Sequence, residues 1–190
     1  MGFTHPPNFG LTAMLNLTLT QWRYLLLYQL LPAILINFII NFAFGWLFFH
    51  TFEQVQLWQA LSFSVLPTSI AVDLLPTTFF LIFFTGLIVS RQVGHHMHDG
   101  LIEPITCPAY LRQINPPRNL MTSFRLAVLI TLTLVPGTVL IFYWNNIDGL
   151  PLWDFVYFKS FYATVLAILF TPFVVLRTMA EQPTSIADRA

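Results

Sequence analysis

Two ionisable residues of opposite charge sit inside long apolar stretches. Asp73 falls in the run from Leu66 to Ser90, and Lys159 in the run from Phe155 to Leu176. A charge buried at membrane depth costs about 2.5–3.5 kcal/mol on insertion scales, so each needs a partner or a task. An ion pair between them is the simplest solution. Asn37 and Asn41 lie four residues apart in another apolar run, which places both amides on one helical face. Counted from the ends of the runs, Asn41, Asp73, Thr77 and Thr138 fall at similar depth. These residues predict a polar cluster of Asn37, Asn41, Asp73 and Lys159 in the outer half of a helical bundle, with Thr77 and Thr138 beside it. Such a cluster either holds helices in register through hydrogen bonds and an ion pair, or takes up a proton, an ion or a small solute from outside. A lysine this near the mouth of a span can also snorkel to the interface.

A second group follows the Leu66–Ser90 run. His95, His98 and Asp99 share a face if the helix continues past the membrane, with Glu103 close behind. Two imidazoles and a carboxylate suit zinc, nickel or copper, which makes His95, His98 and Asp99 the candidate metal ligands. A structural zinc site wants four ligands, and no second pair accompanies them. The bland alternative is a solvated run meeting lipid headgroups. Cys107 is the only cysteine, so neither a disulfide nor a redox pair is available. No zinc-protease helix, glycine-rich phosphate loop or nucleophile elbow occurs, and no cofactor is implied. The reading leans against an enzyme; a lipid-active one would rest on the His95–Glu103 run alone.

What must position these groups is a set of membrane helices. Of 190 residues, 56% are hydrophobic and 8% charged, against roughly 25% charged in a soluble domain. Eight basic residues balance eight acidic ones, and no basic stripe exists for nucleic acid. Spanning a bilayer takes about 20 apolar residues in a helix. Four stretches qualify: Tyr24–Phe49, Leu66–Ser90, Leu126–Trp144 and Phe155–Leu176, with Arg91–Arg125 as a central loop. They do not alternate apolar with polar residues, which excludes a barrel, and an open strand would strand its backbone groups in lipid. Each span contains one proline, Pro32, Pro76, Pro136 or Pro172.

Seven of the eight basic residues fall on one side: Arg23 before the first span, Arg91, Arg112, Arg118 and Arg125 between the second and third, and Arg177 and Arg189 after the fourth. That bias places both termini and the central loop in the cytoplasm. Trp46, Trp58, Trp144 and Trp153 then mark the outer ends of the spans, where an amphipathic ring prefers to sit.

The second and fourth spans align at an offset of 86 residues. Asp73 falls on Lys159, and Thr78, Ile82, Phe84, Thr85, Val89 and Arg91 fall on identical residues, six matches in nineteen positions. The shared ending runs Thr-(Gly/Pro)-x-(Ile/Val)-Val-x-Arg. The expected architecture is an all-α integral membrane protein of four transmembrane helices, arranged as two tandem helical hairpins related by an axis along the membrane normal, with cytoplasmic termini.

The run Ser69-Ile70-Ala71-Val72-Asp73-Leu74-Leu75, with the Thr85–Val93 ending, resembles a set of bacterial four-span membrane proteins with no established function. The resemblance covers both halves and implies a bacterial inner membrane. It implies no activity. Three functional readings follow. The first is a transporter-like or channel-like unit for a small solute or ion, in contact with membrane lipid and working as a homo-oligomer or with a membrane-protein partner. The second is a non-transporting accessory or assembly subunit of a membrane complex. The third is the lipid-active enzyme.

Overall fold

The structure, a computed structural model, describes residues 17–58, 69–105 and 119–180. Leu66, where the second span was expected to begin, and Cys107, Arg112 and Arg118 of the central loop lie outside the described residues. Four long helices make up most of what is described: α1 (Leu19–Phe49), α2 (Ile70–His98), α3 (Leu120–Trp144) and α4 (Leu152–Met179). All four are long and apolar enough to cross a membrane, so the chain is a multi-pass helical membrane protein.

Local sequence explains where they begin and where they loosen. α1 starts behind a capping box, in which the Thr18 hydroxyl accepts from the Gln21 N–H while the Gln21 side chain accepts from the Thr18 N–H. Tyr24–Leu30 is wound as a π-helix just before Pro32, whose missing N–H the wider turn absorbs. α2 carries a second π turn at Thr85–Val89, around Gly86. α3 is capped by Asn119, whose side chain accepts from the Thr122 N–H at 2.8 Å. The helices overrun the apolar stretches because α2 continues through the polar segment Arg91–His98 and α3 starts six residues before Leu126. Hydropathy marks the lipid-immersed part of a helix, and caps mark its ends.

α1 packs along α4, α2 packs along α3, and α2 meets α4 in the middle. The helices of each expected hairpin, α1 with α2 and α3 with α4, are therefore not each other's main partners. A small residue allows the closest packing: Gly45 of α1 lies against Val156 of α4, while Ala127 of α3 and Ala163 of α4 join Leu81 and Ile82 of α2 in a second core cluster.

The connectors identify the two ends. Between α1 and α2, β1 (Gln54–Gln56) pairs antiparallel with β2 (Gly149–Pro151) from between α3 and α4, with Val55 opposite Leu150. Gly149 is required there, because a Cβ would stand 2.8 Å from the Val55 carbonyl oxygen. Phe49, Ile70, Leu74, Val135 and Phe155 form the core beneath this ribbon. At the other end, the Ile105 N–H donates to the Met179 carbonyl at 2.9 Å, and Gln21 Nε2 donates to the Glu103 carbonyl at 3.0 Å. The start of α1 and the ends of α2 and α4 thus gather at one end, and both connectors at the opposite end.

Candidate functional site

Asp73 and Lys159 meet directly. Lys159 Nζ donates to Asp73 Oδ1 at 2.6 Å, across α4 and α2. The residues are 2% and 3% exposed, so Lys159 turns into the bundle and does not snorkel. Counted from the apolar runs, which start at Leu66 and Phe155, Asp73 is expected about two turns and Lys159 about one turn below the outer end; the helices reverse that order. Asp73 stands in the first turn of α2, while Lys159 lies seven residues into α4, because α4 starts at Leu152 straight after β2. The first-turn position suits Asp73, since a helix N-terminus favours negative charge. The lysine stem is steered by Gly45: a Cβ there would touch Lys159 Cδ at 3.4 Å.

The pair is incompletely satisfied. Asp73 Oδ2 is buried and has no hydrogen-bond partner among the described residues. An ammonium group carries three donors, and Asp73 accounts for one. Both residues line a cavity of about 780 Å³ between α1 and α2. Its α1 wall runs from Ala33 to Phe48 and its α2 wall from Asp73 to Val89, with Lys159 from α4 behind them. It exists because α1 and α2 each pack on another helix instead of on each other.

Asn37, Asn41 and Thr77 line this cavity with the pair. Each asparagine commits one of its two amide N–H donors to its own helix: Asn37 Nδ2 to the Ala33 carbonyl at 2.8 Å, and Asn41 Nδ2 to the Asn37 carbonyl at 2.9 Å. Each side chain keeps a second N–H and a carbonyl oxygen for other partners. Thr138 is not brought to this group. It bonds the Leu134 carbonyl at 2.9 Å and the Tyr162 hydroxyl of α4, and does not line the cavity. Thr78, next to Thr77, meets the same Tyr162 hydroxyl at 2.8 Å.

The histidine run is arranged differently from a metal site. His95 Nε2 lies 3.4 Å from Asp99 Oδ2 and His98 Nδ1 3.6 Å from Asp99 Oδ1, all on an exposed surface. Among the described residues no group of three or more His, Cys, Asp or Glu side chains is placed to hold a metal ion. The middle histidine is the one engaged. Gln29 Nε2 donates to the Tyr24 hydroxyl at 2.7 Å, and that hydroxyl, having accepted this bond, has its proton to give to His96 Nδ1 at 2.8 Å. This chain ties the π-helical part of α1 to the end of α2. Sequence reading missed it, along with Gly45 and Tyr162. Gly45 alone left a signal, as the one glycine of its span.

Fold and site together define a class: a four-span helical membrane protein with a charged pair at the wall of a groove in the apolar region. No family model matches the chain, and no curated protein or solved structure matches it either.

Proposed function

We propose that the protein is a transporter-like or channel-like unit that takes a small solute or ion into the groove between α1 and α2. One observation carries this reading: Asp73, whose buried Oδ2 has no donor among the described residues, is one of the residues that line a cavity of about 780 Å³. Leaving a buried acceptor unpaired costs about 1–3 kcal/mol, and a ligand that donates to it recovers that cost. Asp73 and Lys159 hold the ligand, while Asn37, Asn41 and Thr77 supply further polar contacts.

The packing supports descent from a duplicated hairpin. A two-fold axis along the membrane normal exchanges the pair α1–α4 with the pair α3–α2, and these are the close pairs. It also brings the aligned positions 73 and 159 face to face. Distribution of arginine supports cytoplasmic termini. The resemblance in Ser69–Leu75 supports a bacterial inner membrane, with lipid as the surrounding partner. The outer faces of α1 and α3, rich in exposed Leu and Ile, leave room for a second copy or a membrane-protein partner. The direct 2.6 Å contact supports a second reading, in which the pair only fixes the helices and the protein is a non-transporting accessory subunit.

Flux separates the two. Vesicles containing the purified protein are mixed with glycerol, urea and small salts, and volume change is followed by light scattering. At least one of these solutes crosses faster with the wild type than with Asp73→Asn. Rates equal to those of protein-free vesicles across the whole panel would overturn the transport reading.

A further inference from the structure

We propose that the groove binds a neutral single-chain amphiphile headed by a hydroxyl, a long-chain alcohol or monoacylglycerol, which enters sideways from the lipid between α1 and α2. This names the ligand class for the binding site proposed above, and rests on that site being one.

The head is assigned by charge and by hydrogen-bond count. Asp73 and Lys159 neutralise each other at 2.6 Å, so the site carries no net charge for a charged head to balance. An anionic head would compete with Asp73 for Lys159 and leave a carboxylate facing an anion in a low dielectric. A cationic head would displace Lys159 from Asp73, stranding an ammonium group that is 3% exposed. Both outcomes are expensive. A hydroxyl avoids them, because it donates and accepts at once. At the groove wall it gives its proton to the Asp73 carboxylate, one oxygen of which has no partner among the described residues, and receives one from the remaining Lys159 donors. Asn37 and Asn41 offer two more carbonyl oxygens to a second hydroxyl.

The tail is assigned by the rest of the groove. Beyond the polar end, its walls are Ile36, Ile40, Phe44, Phe80, Phe84 and Ile88. From Asp73 to Val89 the α2 wall is roughly 24 Å long at 1.5 Å per residue. Half of a bilayer core is about 15 Å, so one chain lying in its own leaflet fits along it. The cavity volume of about 780 Å³ falls within the ordinary range of ligand pockets, about 300–1,000 Å³. The polar end stands in the first turn of α2, close to the interface where a lipid headgroup already lies. The amphiphile therefore enters without turning over.

The test is photo-crosslinking of the full-length protein in lipid nanodiscs. The probe is monopalmitoylglycerol with a diazirine in its chain, against palmitate and hexadecylamine analogues of the same length. Saturable labelling of α1 and α2 by the glycerol probe is expected, with the charged analogues weaker by about tenfold, the value of a hydrogen bond to a charged group. Asp73→Asn leaves Lys159 uncompensated and reverses the order, so palmitate becomes the better ligand. Ile40→Trp fills the trough, leaves the charged pair in place, and abolishes labelling by all three. Labelling by palmitate as strong as by the glycerol probe in the wild type would overturn the neutral-head assignment. Absence of saturable labelling would overturn the proposal as a whole. If glycerol itself crosses vesicles in an Asp73-dependent way but no chain binds, the solute reading survives and this one fails. If chains bind but no small solute crosses, the transport part fails and this one stands.

Discussion

Removing both members of the buried pair at once separates what the pair does for the fold from what it does for the groove. Asp73→Leu alone leaves the Lys159 ammonium buried at 3% exposure with no counter-charge. Breaking one side of a buried pair costs about 3–5 kcal/mol. The Thr78–Tyr162 bond, at 2.8 Å, is the neutral comparison in the same bundle. Contacts of that kind average about 0.6 kcal/mol in membrane helices, so Asp73→Leu should cost several times what Thr78→Val costs. Asp73→Leu with Lys159→Met removes both charges and the unpaired Asp73 Oδ2 together. Apolar replacement of a buried pair ranges from neutral to stabilising by about 1–4 kcal/mol, so the double variant should be at least as stable as the wild type. The two changes are thus coupled by about 3 kcal/mol or more, far above the roughly 0.5 kcal/mol within which independent sites add. Reversible unfolding in mixed detergent micelles, followed by tryptophan fluorescence, measures all four species. Additive single effects, with the double variant least stable, would refute the reasoning. A stable double variant that no longer binds or conducts would show that the charges are kept at a cost for the groove.

Other sites give narrower expectations. Gly45→Ala should be tolerated, since its Cβ meets Lys159 Cδ at 3.4 Å and Val156 Cα at 3.6 Å, whereas Gly45→Val should cost about 1–3 kcal/mol by overpacking, read from the same unfolding curves. Gly149→Ala puts a Cβ 2.8 Å from the Val55 carbonyl oxygen and should open the ribbon; oxidative cross-linking of Val55→Cys with Leu150→Cys, in a Cys107→Ser background, should be efficient in the parent and fall sharply with that change. Tyr24→Phe removes the hydroxyl that joins Gln29 to His96 and should speed amide exchange through Tyr24–Leu30 while leaving the Asp73–Lys159 end unchanged.

The spans were legible because little besides a bilayer can accommodate uninterrupted apolar runs of that length. Asp73 and Lys159 were legible for the opposite reason, since charge in such a run is costly enough to be noticed and to demand a partner. Helix neighbours were not legible. Lipid is as apolar as leucine, so the residues α1 turns toward α4 look like those it turns toward lipid. The relative depth of Lys159 was misjudged because the start of α4 is set by β2 and Pro151, not by the onset of hydrophobicity. Thr138 was grouped with the cluster on depth alone, and depth does not specify which side of a helix a residue occupies. The Tyr24–His96 contact was not legible, because the two residues are 72 apart and nothing local announces it.

The most direct measurement is the reaction of single cysteines with a water-soluble methanethiosulfonate, added to the face bearing the connectors. Asn41→Cys and Thr77→Cys would be compared with Thr138→Cys and the exposed Leu169→Cys, all in a Cys107→Ser background in vesicles. Asn41 and Thr77 line the groove beside Asp73 and should react much faster than the other two. Equal, slow reaction at all four positions would mean that the charged pair is sealed inside the bundle, and the groove could not be a binding site.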